Sequence, residues 1–374
     1  MKKNVLITGC SGYVGAMLVD QLMHNEEIGI IVGIDKENLE ELVMDEKNTK
    51  LREEKLIFIN KNLSDKSWMG EVRSKLESFT NSKRLENKNF DIVIHTAWQI
   101  REMYGKKNLQ WEWNIGGSDN VFDFVFQNKI KKLVHFSTVA SYGAYSTNQV
   151  DHYYKENEKF RTMDYLYSEE KKISEEHIED KYKHAVKNGY DGQVVIIRPA
   201  AISGPRGRLG RIRFGLQSAL SGNLKGQKSI AYSIVAAMTK FTPVTEKWLR
   251  QFVHEDDIVD LVLRSAMSKM PKNYEAFNVC PPGVCVMGPD MAKAVGKKPL
   301  KLNPLFIRFV FFWMWHLSLG KIPTSRGGWK SYSYPIAVDG SRISEVFDFK
   351  YKASCLDAFT KNEGRYAARY LNLK

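Results

Sequence analysis

Tyr167 and Lys171 stand four residues apart where a strongly helical stretch begins, so a helix carries the phenol and the ammonium on one face. A neighbouring ammonium stabilises phenolate and draws down a pKa that starts near about 10, which makes tyrosine usable as a general acid/base near neutrality. In a lysine-rich chain the spacing alone arises readily by chance. A second group stands at the N-terminus: Thr8-Gly9-Cys10-Ser11-Gly12-Tyr13-Val14-Gly15 follows an apolar strand and opens a helix. One glycine allows a tight turn, one lets the backbone approach a pyrophosphate, and one lets helix and strand pack closely. The helix start offers N–H groups and a positive dipole end to phosphates. Asp35 ends the next strand, about 20 residues on, where a carboxylate would accept hydrogen bonds from ribose hydroxyls and repel a 2′-phosphate. NAD is therefore expected over NADP, with Lys36 as the counterweight beside it.

These groups need a scaffold, and the hydrophobic pattern supplies one. Val5–Thr8, Ile30–Ile34, Leu56–Ile59, Ile92–His95, Leu133–Ser137 and Val194–Arg198 read as short buried strands. Helical stretches lie between them, among them Ala16–Met23, Trp113–Phe126 and Glu169–His184, and Thr80–Asn89 reads as a surface insertion. Alternation of this kind implies an α/β, doubly wound parallel sheet of Rossmann type. After Gly204-Pro205 the pattern becomes irregular, then His254-Glu255-Asp256-Asp257 leads into a helix over Ile258–Met267. The expected division is a dinucleotide-binding domain over 1–203, rejoined by 251–270, and a smaller α/β substrate-binding domain from 204–250 and 271–374.

The chain is 43% hydrophobic, which excludes a disordered or collagen-like chain, and carries 56 basic against 43 acidic residues, a net charge of +13. The basic residues are dispersed without the aromatic interleaving of a strand-binding face, so nucleic acid is not the expected partner. Cys10, Cys280, Cys285 and Cys355 complete no metal set and read as reduced structural thiols. The apolar run Val5–Ile7 is too short for a signal-peptide core, and a cytoplasmic location is expected.

Further segments give the Tyr–Lys pair its context. They are Asp91–Ala97, Asn114–Val121, His135–Gly143, Arg198–Pro205 and Arg250–Asp257. In this order and spacing the chain resembles the extended short-chain dehydrogenase/reductases, specifically the NAD-dependent epimerase/dehydratase family, over roughly residues 3–300. The resemblance implies that Tyr167 is the acid/base and that Lys171 lowers its pKa and holds the nicotinamide ribose. It implies that Thr138 hydrogen-bonds the substrate oxygen that gains or loses a proton. Asn62 stands where the family usually has an Asp facing adenine, with Leu63 beside it. Thr96, Ala97, Trp98 and Asn114 would line the cofactor, and Pro199 would flank the nicotinamide. The shared chemistry is hydride transfer with Tyr167 handling the hydroxyl proton, ending in epimerisation, dehydration or plain oxidation. A homodimer is the family's usual assembly.

The chain departs from the family on the substrate side. Ala200 and Ala201 replace an Asn common in sugar-nucleotide members, Ser203 replaces a frequent tyrosine, and Trp98 replaces a small residue. Arg250 stands where the family often meets a diphosphate, and Arg206, Arg208, Arg211 and Arg213 form a second basic cluster suited to phosphate or simply to solvent. The substrate is therefore expected to be a small, anionic molecule, a sugar nucleotide or related sugar. The alternatives are a hydroxysteroid- or lipid-type dehydrogenase and a non-catalytic dinucleotide- or RNA-binding relative. His95 and His254 read as structural. The aromatic segment Leu305–Gly320 is too short to span a bilayer. It reads as a buried helix with a polar stripe of Arg308, Phe312 and His316, with a membrane-surface helix or a dimer contact as the other readings.

Overall fold

In the computed structural model, residues 2–211, 241–283, 285–294 and 296–371 are described. Seven strands build the main sheet: β1 (Lys3–Thr8), β2 (Ile28–Asp35), β3 (Leu56–Asn60), β4 (Ile92–His95), β5 (Lys132–Phe136), β6 (Gln193–Pro199) and β7 (Tyr274–Val279). All are parallel, in the order β7-β6-β5-β4-β1-β2-β3. Strand side chains alternate between faces, so each apolar strand feeds two cores. Val5 and Ile7 point into one and Leu6 into the other. On the first face lie α1 (Tyr13–His24) and, as introduced below, a later helix; α2 (Trp68–Ser82), α3 (Gly117–Gln127) and α4 (Leu166–Lys187) cover the second. The expected doubly wound sheet is present, and the six strands read from the sequence are its first six.

The seventh strand was not legible as part of this sheet. β7 pairs with β6 from Tyr274↔Val194 to Val279↔Pro199, so the chain's return to the sheet runs past residue 270. That return begins with α5 (Glu255–Met267), whose Ile258, Val259, Leu261 and Val262 complete the first core. His254 caps α5 by accepting from the Asp256 N–H, the structural role expected of it. His95 is likewise internal: it bonds Thr8 Oγ1 at 2.6 Å and Ser118 Oγ at 2.9 Å and stacks on His135. A third core gathers Tyr142, Trp248, Phe252, Cys280, Val338, Cys355 and Phe359 under the C-terminal segments. All four cysteines are buried thiols, with Cys280 and Cys355 sulfurs 3.4 Å apart.

One buried ion pair ties the helix that carries Tyr167 and Lys171 to the sheet. The Arg198 guanidinium at the end of β6 grips Glu175 of α4 through three contacts of 2.6–3.1 Å and donates to Tyr142 Oη at 3.0 Å. Removing one partner strands the other charge in the interior, which is costlier than the pair's net worth. Glu175→Ala is expected to cost about 3 kcal/mol, read as a lower urea midpoint with an unchanged m-value.

Candidate active site

The order of the sheet reverses between β1 and β4, and a crevice opens there at the carboxyl ends of the strands. It is a cleft of about 1140 Å³. Its floor is set by two glycines. Gly9 has a φ of +75°, and a side chain there would sit 2.5 Å from the Ala97 nitrogen; one at Gly15 would sit 1.9 Å from the Gly9 carbonyl oxygen. The loop can hold its shape only without those β-carbons. Gly12 caps α1 with no side chain, so the helix start faces the cleft bare of any side-chain cap.

Asp35 closes one end of the cleft. Its carboxylate accepts from the N–H groups of Ser11 at 2.9 Å and Glu37 at 3.0 Å. Burial pushes its pKa up, and those two backbone donors oppose the shift. Lys36 turns aside to lie over the Trp113 ring, 3.9 Å from its centroid. Asn114 sits in a π turn, Glu112–Gly116, where the sequence pattern suggested unbroken α-helix from Trp113. Its amide both donates to the Gln99 carbonyl (3.0 Å) and accepts from the Gln99 N–H (2.7 Å), and it bonds Glu170 at 2.7 Å. The extra residue in the turn aims Asn114 at the strand β4 loop, a use of π turns common at functional sites.

At the other end, Thr138, Tyr167 and Lys171 converge. Thr138 follows β5 and accepts from the Ala140 N–H at 3.2 Å; its hydroxyl is hydrogen-bonded to Tyr167. The Lys171 ammonium donates to the Phe136 carbonyl and lies 3.6 Å from the centre of the Trp98 ring. Trp98 Nε1 and Ser137 Oγ, both in residues of the cleft wall, are buried without a hydrogen-bond partner. A polar ligand in the cleft could bond both.

Burial raises the Tyr167 pKa, opposed by the Thr138 hydrogen bond, and Lys171 does not figure among the causes. Lys171 itself is pushed well below the ordinary lysine range by burial, against the pull of Glu175 and Glu170. The reason is placement: its ammonium is spent on Phe136 and the Trp98 face. Tyr167 and Lys171 both line the cleft, as their shared helical face leads one to expect.

Of the residues singled out in the sequence, the cleft wall contains Gly9, Ser11, Gly12, Tyr13, Val14, Gly15, Asp35, Lys36, Asn62, Leu63, Thr96, Ala97, Trp98, Asn114, Thr138, Tyr167, Lys171, Pro199 and Arg250. Arg206 is the exception. It is fully buried, donates to the Tyr13 carbonyl and pairs with Glu40, while its N–H and that of Gly207 donate to Glu255 at 2.9 and 3.0 Å. Tyr13 Oη donates to the same Glu255. Carboxylates distant in sequence draw Arg206 beneath α1, where it braces the glycine loop instead of meeting substrate. Arg208 is also turned inward, onto the carbonyls of Ala358, Phe359 and Lys361. Arg213 lies outside the described residues. Sequence reading missed much of the wall around Arg250, including Tyr165, Glu102, Ser325, Tyr332 and Trp315. Tyr165, two residues before Tyr167, was the one with a local signal. Arg250 lies over the Tyr332 ring, and Glu102 is bonded to Ser325 and held above the usual carboxylate range by burial.

A model of the NAD dependent epimerase/dehydratase family matches residues 5–280. The chain belongs to that family. An uncharacterised protein of Methanocaldococcus jannaschii is 26% identical over 283 residues, 74% of this chain and 75% of its own length. Among solved structures, UDP-glucose 4-epimerase of Thermotoga maritima, solved with UDP-glucose, superposes with a TM-score of 0.64 at 18% identity over 99% of both chains. dTDP-glucose 4,6-dehydratase of Bacillus anthracis, solved with NAD, does so with 0.63 at 14% identity, over 100% of this chain and 97% of its own. These likenesses confirm the fold: a Rossmann-type sheet with a C-terminal domain.

The buried lysine makes a testable statement. Unfolded, Lys171 stays protonated to about pH 10.4; folded, it loses its proton at lower pH. Between the two, folding releases a proton, so stability rises with pH, and the cost of the buried charge is felt in full only below the folded value. The Tm of wild type minus that of Lys171→Met is expected to rise across this window; a flat difference would mean that the lysine keeps its charge.

Proposed function

We propose that the protein is an NAD-dependent oxidoreductase of the epimerase/dehydratase type, acting on a sugar nucleotide or related sugar. The observation that carries the reading is the meeting of Thr138, Tyr167 and Lys171 in the same cleft as the glycine loop and Asp35. The residues fit the cofactor: a loop that excludes β-carbons, a carboxylate at the ribose position, and the partnerless Ser137 Oγ and Trp98 Nε1. Gly9 to Gly15 would hold the pyrophosphate, Asp35 a ribose, Asn62 and Leu63 the adenine side, and Thr96, Ala97, Trp98, Asn114 and Pro199 the remaining length. NAD, when bound, supplies a ring that accepts a hydride and gives it back.

The protein's own groups handle the proton. Tyr167 Oη takes the proton of a substrate hydroxyl as that carbon is oxidised and returns it on reduction. Thr138, already bonded to Tyr167, fixes the oxygen's position. Lys171, drawn off the Trp98 face, would bring positive charge beside the phenol and lower its pKa. Arg250 offers a guanidinium to a phosphate. Were the oxidised carbon re-reduced from its opposite face, with Tyr167 returning the proton to the oxygen, the substrate would be epimerised; loss of a neighbouring group before re-reduction would give dehydration.

A second reading rests on the wall itself. Trp98, Ala200, Ala201 and Trp315 give the substrate end an apolar lining, which suits a hydrophobic alcohol of the hydroxysteroid or lipid type. The test is turnover of a panel holding UDP-glucose, dTDP-glucose, UDP-glucuronic acid and hydroxysteroids, with Tyr167→Phe as control. A nucleotide sugar is expected to turn over, and Tyr167→Phe to lower kcat by about 10²-fold or more while NAD still binds. Undiminished turnover in Tyr167→Phe would overturn the mechanism. Thermal shifts complete the set: NAD should raise Tm more than NADP does, and Asp35→Asn should narrow the gap.

A further inference from the structure

The aromatic segment is a surface helix, not the buried one expected. α6 (Pro304–Leu317) turns Ile307, Phe311 and Trp315 inward at i, i+4, i+8 spacing. Its other side presents Leu305, Phe306, Phe309, Phe312, Trp313 and Leu317, each 47–78% exposed. Phe312 and Phe309 both pack edge to face with Trp313, so the outward residues form one sheet of apolar surface. Tyr104 extends it: its ring meets Trp315, and its hydroxyl pairs with His316 at 3.2 Å. A soluble monomer seldom shows so large a contiguous apolar face without a partner. Among the described residues no helix is long and apolar enough to cross a membrane.

The charge around this face is one-sided. Residues 291–338 hold eight lysines and arginines and not one aspartate or glutamate. Lys298, Lys301, Arg308, Lys321 and Arg326 are exposed. We propose that α6 lies in the surface of an anionic bilayer, its aromatic face in the headgroup–acyl boundary and its basic rim on lipid phosphates. Large aromatic side chains favour that boundary, and basic stems reach past an apolar surface to keep their heads at the phosphates. A second copy of the chain is a poorer occupant. A two-fold contact sets a patch against itself, and here the exposed Lys298, Lys301, Arg308, Lys321 and Arg326 of one copy would come up against those of the other.

The position of α6 gives the docking a consequence. Trp315 on its inner side is part of the cleft wall, and so is the exposed Ile100 just ahead of Tyr104. The mouth of the cleft would therefore open beside the lipid headgroups.

The test is flotation of the full-length protein with vesicles of phosphatidylcholine alone and of phosphatidylcholine with phosphatidylglycerol. Wild type is expected to float with the anionic vesicles at low salt, and both high salt and neutral vesicles to cut the bound fraction severalfold. Phe309→Glu/Trp313→Glu is expected to lower it at least tenfold. Lys298→Glu/Lys301→Glu should lower it severalfold, and serves as the independent variant should the first fail to fold by circular dichroism. Wild type left at the bottom at low salt overturns the proposal, as does binding that neither variant weakens or that neutral vesicles match. A wild-type dimer in sedimentation that Phe309→Glu/Trp313→Glu splits, with no vesicle binding, would reassign the face to a contact between copies.

Discussion

Between the ends of β1 and β4 the backbone of Gly9 runs so close to Ala97 that no side chain fits between them, and Gly15 closes on Gly9 from the other side. The cleft depends on this contact. It seats the bare start of α1 against the strand ends, and the shared register of β1 with β2 and β4 brings Asp35 and Thr96 to its rim. Behind the loop, Arg206, Glu40, Glu255 and Tyr13 form a buried brace that fixes α1 from beneath. In front of it, Arg198 and Glu175 lock α4 to β6, which sets where Tyr167 and Lys171 meet the crevice.

Much of this was legible because it is local. Short β-branched strands, a glycine loop and a Tyr–Lys pair are readable from neighbours in the chain, and parallel α/β topology then forces their ends together. What escaped depends on contacts far apart in sequence. Arg206 looks like a phosphate ligand until Glu40 and Glu255 arrive from distant segments to bury it. β7 has no marker of its own and is fixed by pairing with β6. Spacing also carries no information on what else Lys171 touches, here the Phe136 carbonyl and the Trp98 ring. The aromatic segment reads as buried because composition cannot say which of its faces finds a partner; only the face of Ile307, Phe311 and Trp315 does.

The two ends of the cleft are unequal in polarity. The glycine-loop end is lined by backbone donors and a carboxylate, as a dinucleotide requires. The far end mixes Arg250 and Glu102 with Tyr165, Tyr332 and Trp315, so charge recognition there is confined to a few groups set in aromatic walls. That mixture suits a ligand with a charged part and an extended apolar or sugar face.

One molecule of NAD would run from the glycine loop to the catalytic residues, with Lys171 reaching it from the catalytic side. Calorimetric titration of NAD into wild type and Lys171→Met tests it most directly. One NAD bound per chain is expected, with an affinity at least about tenfold lower in Lys171→Met, the weight of a hydrogen bond from a charged donor. NAD binding that Lys171→Met leaves unchanged would contradict it.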